Sequence, residues 1–326
     1  MAPKGPVDAE LAGVQKIFPL KDVGKSHISL KCGGMVGREN QANRPSLPDP
    51  ETMVRNKTWK TRLRETLTLL HNLGMDAAIV AATWHAIVTS SVGNPLHPEL
   101  TASIFFAVWT IYLGDRVWDA WRNEPSASCM ERHRFARRHR EVLALLVVGN
   151  FLLASIFAAS AFSTARQVTW AALGLVAILC IAYYSVRMKL PDWERGRAVV
   201  VGGTFATGTL FAVPGLTGGF LGLLILTLGA LFTANIRICV WAEEYAAGRT
   251  TAISLVRPCI LSVLGFSLAA TGGHLAVALA GFFSLAGLWY LGARRQVLPP
   301  EILSIGADAM LFLPPLLILP VALWLG

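Results

Sequence analysis

The chain has 326 residues, 54% hydrophobic and 15% charged, with a mean hydropathy of +0.51 and a net charge of +9. An ordinary soluble domain carries about 25% charged residues. These counts exclude a disordered chain, a coiled coil and a small secreted domain, and they argue against a nucleic-acid binder despite the basic balance; a polytopic membrane protein remains.

The charge is unevenly placed. Residues 1–68 hold 12 of the 29 Lys and Arg and 7 of the 20 Asp and Glu. Residues 1–66 read as a mostly disordered tail: Pro45, Pro48 and Pro50 interrupt it, its charges are mixed, and it lacks the apolar run of a signal peptide. The five cysteines form no CxxC pair and no metal-type spacing, so they read as packing residues.

A spanning helix needs about 20 mostly apolar residues. Residues 67–326 offer nine such segments: 69–92, 99–119, 142–163, 168–187, 198–216, 219–241, 254–271, 273–292 and 302–325. The fold class expected is therefore all-α, a nine-helix membrane bundle. Turns rich in Gly separate the fifth from the sixth segment and the seventh from the eighth. Charge placement tests the count. With nine spans, 28 of the 29 basic residues fall on one face and only Arg166 on the other. The positive-inside rule then puts the N-terminal tail in the cytoplasm and the C-terminus on the opposite side. Most of the positive charge meets anionic lipid headgroups of the bilayer.

In the first span Asp76 reads as a helix-end or interhelical hydrogen-bonding group, and His85 as a satisfied interhelical histidine. The second span ends in Asp115-Arg116-Val117-Trp118-Asp119-Ala120. Asp115 and Asp119 are four apart, so a helix points them the same way. Carboxylates held that close suit a cation between them, and Mg2+ commonly takes one or two carboxylates plus substrate phosphates. The plain alternative is a solvated helix end with an Asp–Arg interaction. Trp109, Trp118 and Trp121 fit an aromatic belt at the membrane surface, or a cation–π site. The loop 131–140 packs five arginines and two histidines into ten residues; Arg134 and Arg138 are among its candidate phosphate ligands, headgroup binding being the alternative.

The sixth span ends in Asn235, Cys239, Glu243 and Glu244, at the same topological position as the first acidic site. Two acid-bearing helix ends on one face could jointly hold a diphosphate through Mg2+. In the last span, Asp308 is open to pairing with Arg294 or Arg295 or to lining a cavity.

These residues resemble the UbiA superfamily of intramembrane prenyltransferases, whose members have nine helices and two Asp-rich motifs. Asp115-Arg116-Val117-Trp118-Asp119-Ala120 matches the second half of the first motif; Ile111 and Tyr112 replace its leading Asn and Asp. Tyr183-Tyr184-Ser185-Val186-Arg187-Met188-Lys189 resembles the Tyr-rich end of the fourth helix and its basic loop. Anchored on Gly248 and Thr251, the second motif is eroded: Glu244 stands at its last acid and Val240 at the one before. The resemblance implies an enzyme binding an isoprenyl diphosphate. Asp115, Asp119 and Glu244 would be catalytic, with Glu243 and Asn235 as further metal ligands. Arg116, Arg134, Arg138, Arg187 and Lys189 would bind the diphosphate. A membrane terpene cyclase and a non-catalytic protein on the same fold are the alternatives. The acceptor, the oligomeric state and the host membrane are left open.

Overall fold

A computed structural model describes residues 59–122, 131–161, 194–211, 213, 215–216, 218–249 and 253–325. They fall in the unit Lys57–Gly326 and contain helices but no strand. The helices are α1 (Trp59–Asn72), α2 (Met75–Ser91), α3 (Pro98–Arg122), α4 (Glu131–Arg138), α5 (Arg140–Ala161), α6 (Glu194–Leu210), α7 (Gly218–Ala246), α8 (Val256–Thr271), α9 (Leu275–Arg294) and α10 (Pro300–Leu325). Eight of the nine expected segments overlap these helices; the segment 168–187 lies outside the described residues.

Long apolar helices able to cross a membrane are present, but the nine-span count is not reproduced by length and apolarity. Four described helices qualify (α5, α7, α9 and α10), or five with α1 and α2 taken as one bent span. α6 and α8 are short, at 17 and 16 residues, and α3 carries Asp115, Arg116 and Asp119 in its last two turns. The apolar surface points outward as lipid contact requires. Leu145, Phe151 and Ile156 on α5, Leu261 and Leu264 on α8, and Leu317 and Trp324 on α10 are all exposed. An exposed apolar area of this extent is foreign to a water-soluble monomer.

The first expected span, 69–92, is not continuous. α1 meets α2 at a bend of 83°, and α1 reaches back to Trp59, inside the expected tail. Gly74 makes the break: its φ of 67° is left-handed, and an added Cβ there would sit 3.3 Å from Arg116 Nε on α3. Residues of α3 satisfy carbonyls that the break releases. Trp109 Nε1 donates to the Leu73 carbonyl at 2.9 Å, and Arg116 Nη2 to the His71 carbonyl at 3.0 Å.

Without water, backbone groups must be paired within the protein. Thr89, Ser90, Thr207, Thr209 and Thr227 each donate to the carbonyl four residues back, which hides a hydroxyl inside a helix. α10 contains Pro314, Pro315 and Pro320. Pro315 has no N–H to give the Leu311 carbonyl. Trp84 Nε1 on α2 takes that carbonyl instead, at 2.9 Å. The Trp84 ring, fully buried, stacks on Phe266 at 6.1 Å and meets Phe232 edge-on at 6.4 Å, joining α2, α7, α8 and α10. Trp84→Phe should therefore strand a buried carbonyl and cost about 1–3 kcal/mol. The penalty should shrink in a Pro315→Ala background, where a backbone N–H returns to Leu311; unfolding in detergent measures both.

α6 and α7 approach closely because Gly202 has no side chain. A Cβ there would lie 2.7 Å from Thr233 Oγ1 and 2.8 Å from the Gly229 carbonyl.

The two ends of the bundle differ. At one, His274 bonds Ser91, stacks on Phe220 at 4.2 Å and lies beside the glycine turn between α8 and α9. Arg116, Arg132, Arg197, Arg237 and Arg295 gather toward the other, where α3 ends and α6 and α10 begin. The charge segregation read from the sequence is thus present among the described residues.

Candidate functional site

The basic end of the bundle holds a nearly buried polar cluster, assembled from four helices. His71, in the last turn of α1, directs Nδ1 to Asp76 Oδ2 at 2.5 Å and to Asp308 Oδ2 at 3.4 Å. The break at Gly74 allows this: it folds the end of α1 over the start of α2, so residues five apart meet. Asp76 Oδ1 also accepts the Ala77 N–H at 2.9 Å. Asp308, on α10, accepts from Asn235 Nδ2 on α7 at 2.9 Å. Ser304, one turn before Asp308, faces His71 Nε2 at 3.5 Å. The side chains of His71, Asp76 and Asp308 are 7%, 12% and 19% exposed. Two atoms here lack a partner, Asn235 Oδ1 and Arg116 Nε.

A second layer lies above it. Arg132, on α4, forms an ion pair with Glu243 on α7 and donates to Ser304 Oγ at 3.4 Å. His133 Nε2 is 3.7 Å from the same Glu243 carboxylate. Burial, then the charges of Arg132 and Arg116, push the His133 pKa down to about 3. It is therefore neutral at physiological pH. Its unfolded value is 6.5, so between pH 6.5 and about 3 the unfolded chain takes up a proton that the folded protein refuses. Stability should fall on acidification from pH 6.5, with a slope approaching about 1.4 kcal/mol per unit from this group alone. Comparing wild type with His133→Gln between pH 7 and pH 5 isolates the effect, which the variant should lack.

The expected site residues are distributed as follows. Asp115 and Asp119 lie one turn apart on α3, both half-buried, beside the inward stripe Leu113, Val117 and Ala120. Arg116 points inward, to the His71 carbonyl. Glu244 is half-buried near the end of α7. Glu243 is paired with Arg132, and Asn235 belongs with Asp308, two turns deeper on α7. Arg134 and Arg138 are on the exposed side of α4. Arg187 and Lys189 lie outside the described residues. Trp118 and Trp121 are exposed, whereas Trp109 is half-buried and donates to the Leu73 carbonyl; His85 is the satisfied interhelical histidine expected, with Nδ1 3.3 Å from the Thr209 carbonyl. Asp308 takes the partners His71 and Asn235. Arg294 lies over the Tyr290 ring and Arg295 donates to the Gly292 carbonyl.

Sequence reading passed over His71 and did not single out Arg132. His71 sits beyond a helix break, where no periodicity links it to Asp76. Arg132 carried a usable signal: with Ala136 and Leu143, both buried, it forms one stripe at helical spacing, whereas Arg134 and Arg138 form another.

No protein-family model, curated protein or solved structure matches the chain.

Proposed function

We propose that the protein is an integral membrane enzyme that binds an isoprenyl diphosphate with Mg2+ and transfers the prenyl group to an acceptor. The observation that supports this reading is that two acid-bearing helix ends lie at the same basic end of the bundle. Arg132 pairs with Glu243 at the end of α7 and lies near enough to Arg116, at the acidic end of α3, for the two cations to repel. The resemblance of Asp115-Arg116-Val117-Trp118-Asp119-Ala120 to the prenyltransferase motif supplies the substrate class.

Asp115 and Asp119 offer hard oxygen donors one turn apart, a set that suits Mg2+. They would hold the ion, with Glu244 as the remaining acid of the eroded second motif. When bound, Mg2+ supplies charge neutralisation on the leaving diphosphate, which favours cleavage of the allylic C–O bond. Arg116 and Arg132 face inward and would donate to phosphate oxygens; the outward Arg134 and Arg138 suit lipid headgroups. The apolar bundle interior keeps water from the reacting carbon. Arg187 and Lys189 enter this reading on the resemblance alone.

Asp115→Asn and Asp119→Asn, assayed with Mg2+ and labelled farnesyl or geranylgeranyl diphosphate, should each lose at least about 100-fold in turnover. Unchanged turnover in both would remove the metal assignment. Mass spectrometry of the product separates a prenylated acceptor from a cyclised hydrocarbon or terpene alcohol, the outcome expected of a cyclase.

A further inference from the structure

We propose that His71, Asp76 and Asp308 form a binding site for one transition-series dication such as zinc or manganese, distinct from the Asp115–Asp119 pair. One ligand atom from each residue lies within 4.8 Å of the others. Around an ion with bonds of about 2.0–2.2 Å, neighbouring donor atoms sit roughly 2.9–3.5 Å apart. His71 Nδ1 lies 2.5 Å from Asp76 Oδ2 and 3.4 Å from Asp308 Oδ2. The second spacing fits already. The first belongs to a shared proton, and an ion replacing that proton would widen it by a few tenths of an ångström.

An independent feature points to a ligand. The Asn235 side chain is directed into the cluster by its bond to Asp308, the residue is 7% exposed, and its amide oxygen has no hydrogen-bond partner. A buried amide oxygen without a donor is costly, and it is a competent fourth ligand for a cation. The two carboxyl groups also face each other as hydrogen-bonding partners, an arrangement that a shared proton holds and that a dication would hold in its place.

The donor set selects the metal. An imidazole nitrogen favours zinc and its neighbours, while Mg2+ prefers oxygen ligands and retained water. The ligands come from α1, α2 and α10, so an ion there would also pin the broken helix pair to the last helix.

The test uses the full-length protein, untagged and in detergent. It is stripped with chelator, incubated separately with Zn2+, Mn2+ or Mg2+, desalted, and its metal content measured by mass spectrometry. One equivalent of Zn2+ or Mn2+ per chain is expected, with a raised melting temperature, and no retained Mg2+. His71→Ala and Asp308→Asn should lose both effects; Asp115→Asn with Asp119→Asn should keep them, whatever the fate of prenyl transfer. Should the His71 and Asp308 variants not fold, Co2+ in the wild-type protein decides. Visible bands of a nitrogen- and oxygen-ligated ion are expected. Folded wild-type protein that retains no metal, binding unaltered in His71→Ala, or Co2+ without histidine ligation would overturn the proposal. The cluster would then be a proton-sharing network only.

Discussion

Asp308→Ala is expected to lower the unfolding free energy by about 1–3 kcal/mol, the usual cost of leaving a buried polar group without its partner. Asp308 is the member of the cluster that joins distant helices: it reaches His71 on α1 and Asn235 on α7 from its own place on α10. Its loss leaves the Asn235 side chain with neither amide end paired, since Oδ1 already has no donor. His71 keeps Asp76, so the local pair survives and the interhelical links do not. Asp308→Asn should cost less, because an amide oxygen still accepts from Asn235. Replacing Asp308 and Asn235 together with leucine should recover part of the loss, since two apolar groups leave no stranded dipole. Equilibrium unfolding in detergent, with chelator present throughout, measures the series without any contribution from bound metal.

That cluster also marks the limit of what the sequence discloses. The helical class, the separation of α8 from α9 by a glycine turn and the gathering of basic residues at one end follow from composition and spacing alone. Periodicity carries that much because an apolar helix has one way to satisfy its backbone in lipid. The break at Gly74 is different. Nothing distinguishes a glycine between Leu73 and Met75 from a tolerated glycine inside a span until α3 is known to need the space beside it. Once the chain turns there, His71 meets Asp76, and Asp308, 237 positions beyond His71, arrives from the last helix. A cluster of that kind is set by tertiary packing, and spacing along the chain holds no record of it. Asp76 and Asp308 were visible as costly acids within spans; their mutual partner was not. Arg132 is the opposite case, since the stripe it shares with Ala136 and Leu143 already separates it from its neighbours.

The Arg132–Glu243 pair should respond unequally to the loss of either partner, and the inequality follows from burial. Arg132 is 13% exposed and Glu243 31%. Glu243→Ala leaves a guanidinium that stays charged, with Arg116 close enough to repel it. Among the described residues it keeps the 3.4 Å bond to Ser304. The expected cost is about 3 kcal/mol, at the lower edge of the range for a broken buried pair. Arg132→Ala leaves a carboxylate that reaches water and retains His133 at 3.7 Å. About 1 kcal/mol is expected there, the value of a partly exposed pair. The double variant should be more stable than Glu243→Ala alone, because it removes the stranded cation and its repulsion of Arg116. A thermodynamic cycle over the four proteins in detergent tests the order. Equal losses in the two single variants would show that Glu243 is as cut off from water as its partner. Under the proposed function the same asymmetry has a use: a diphosphate entering at this end brings new acceptors to Arg132, and Glu243, the more exposed partner, is the one able to turn away.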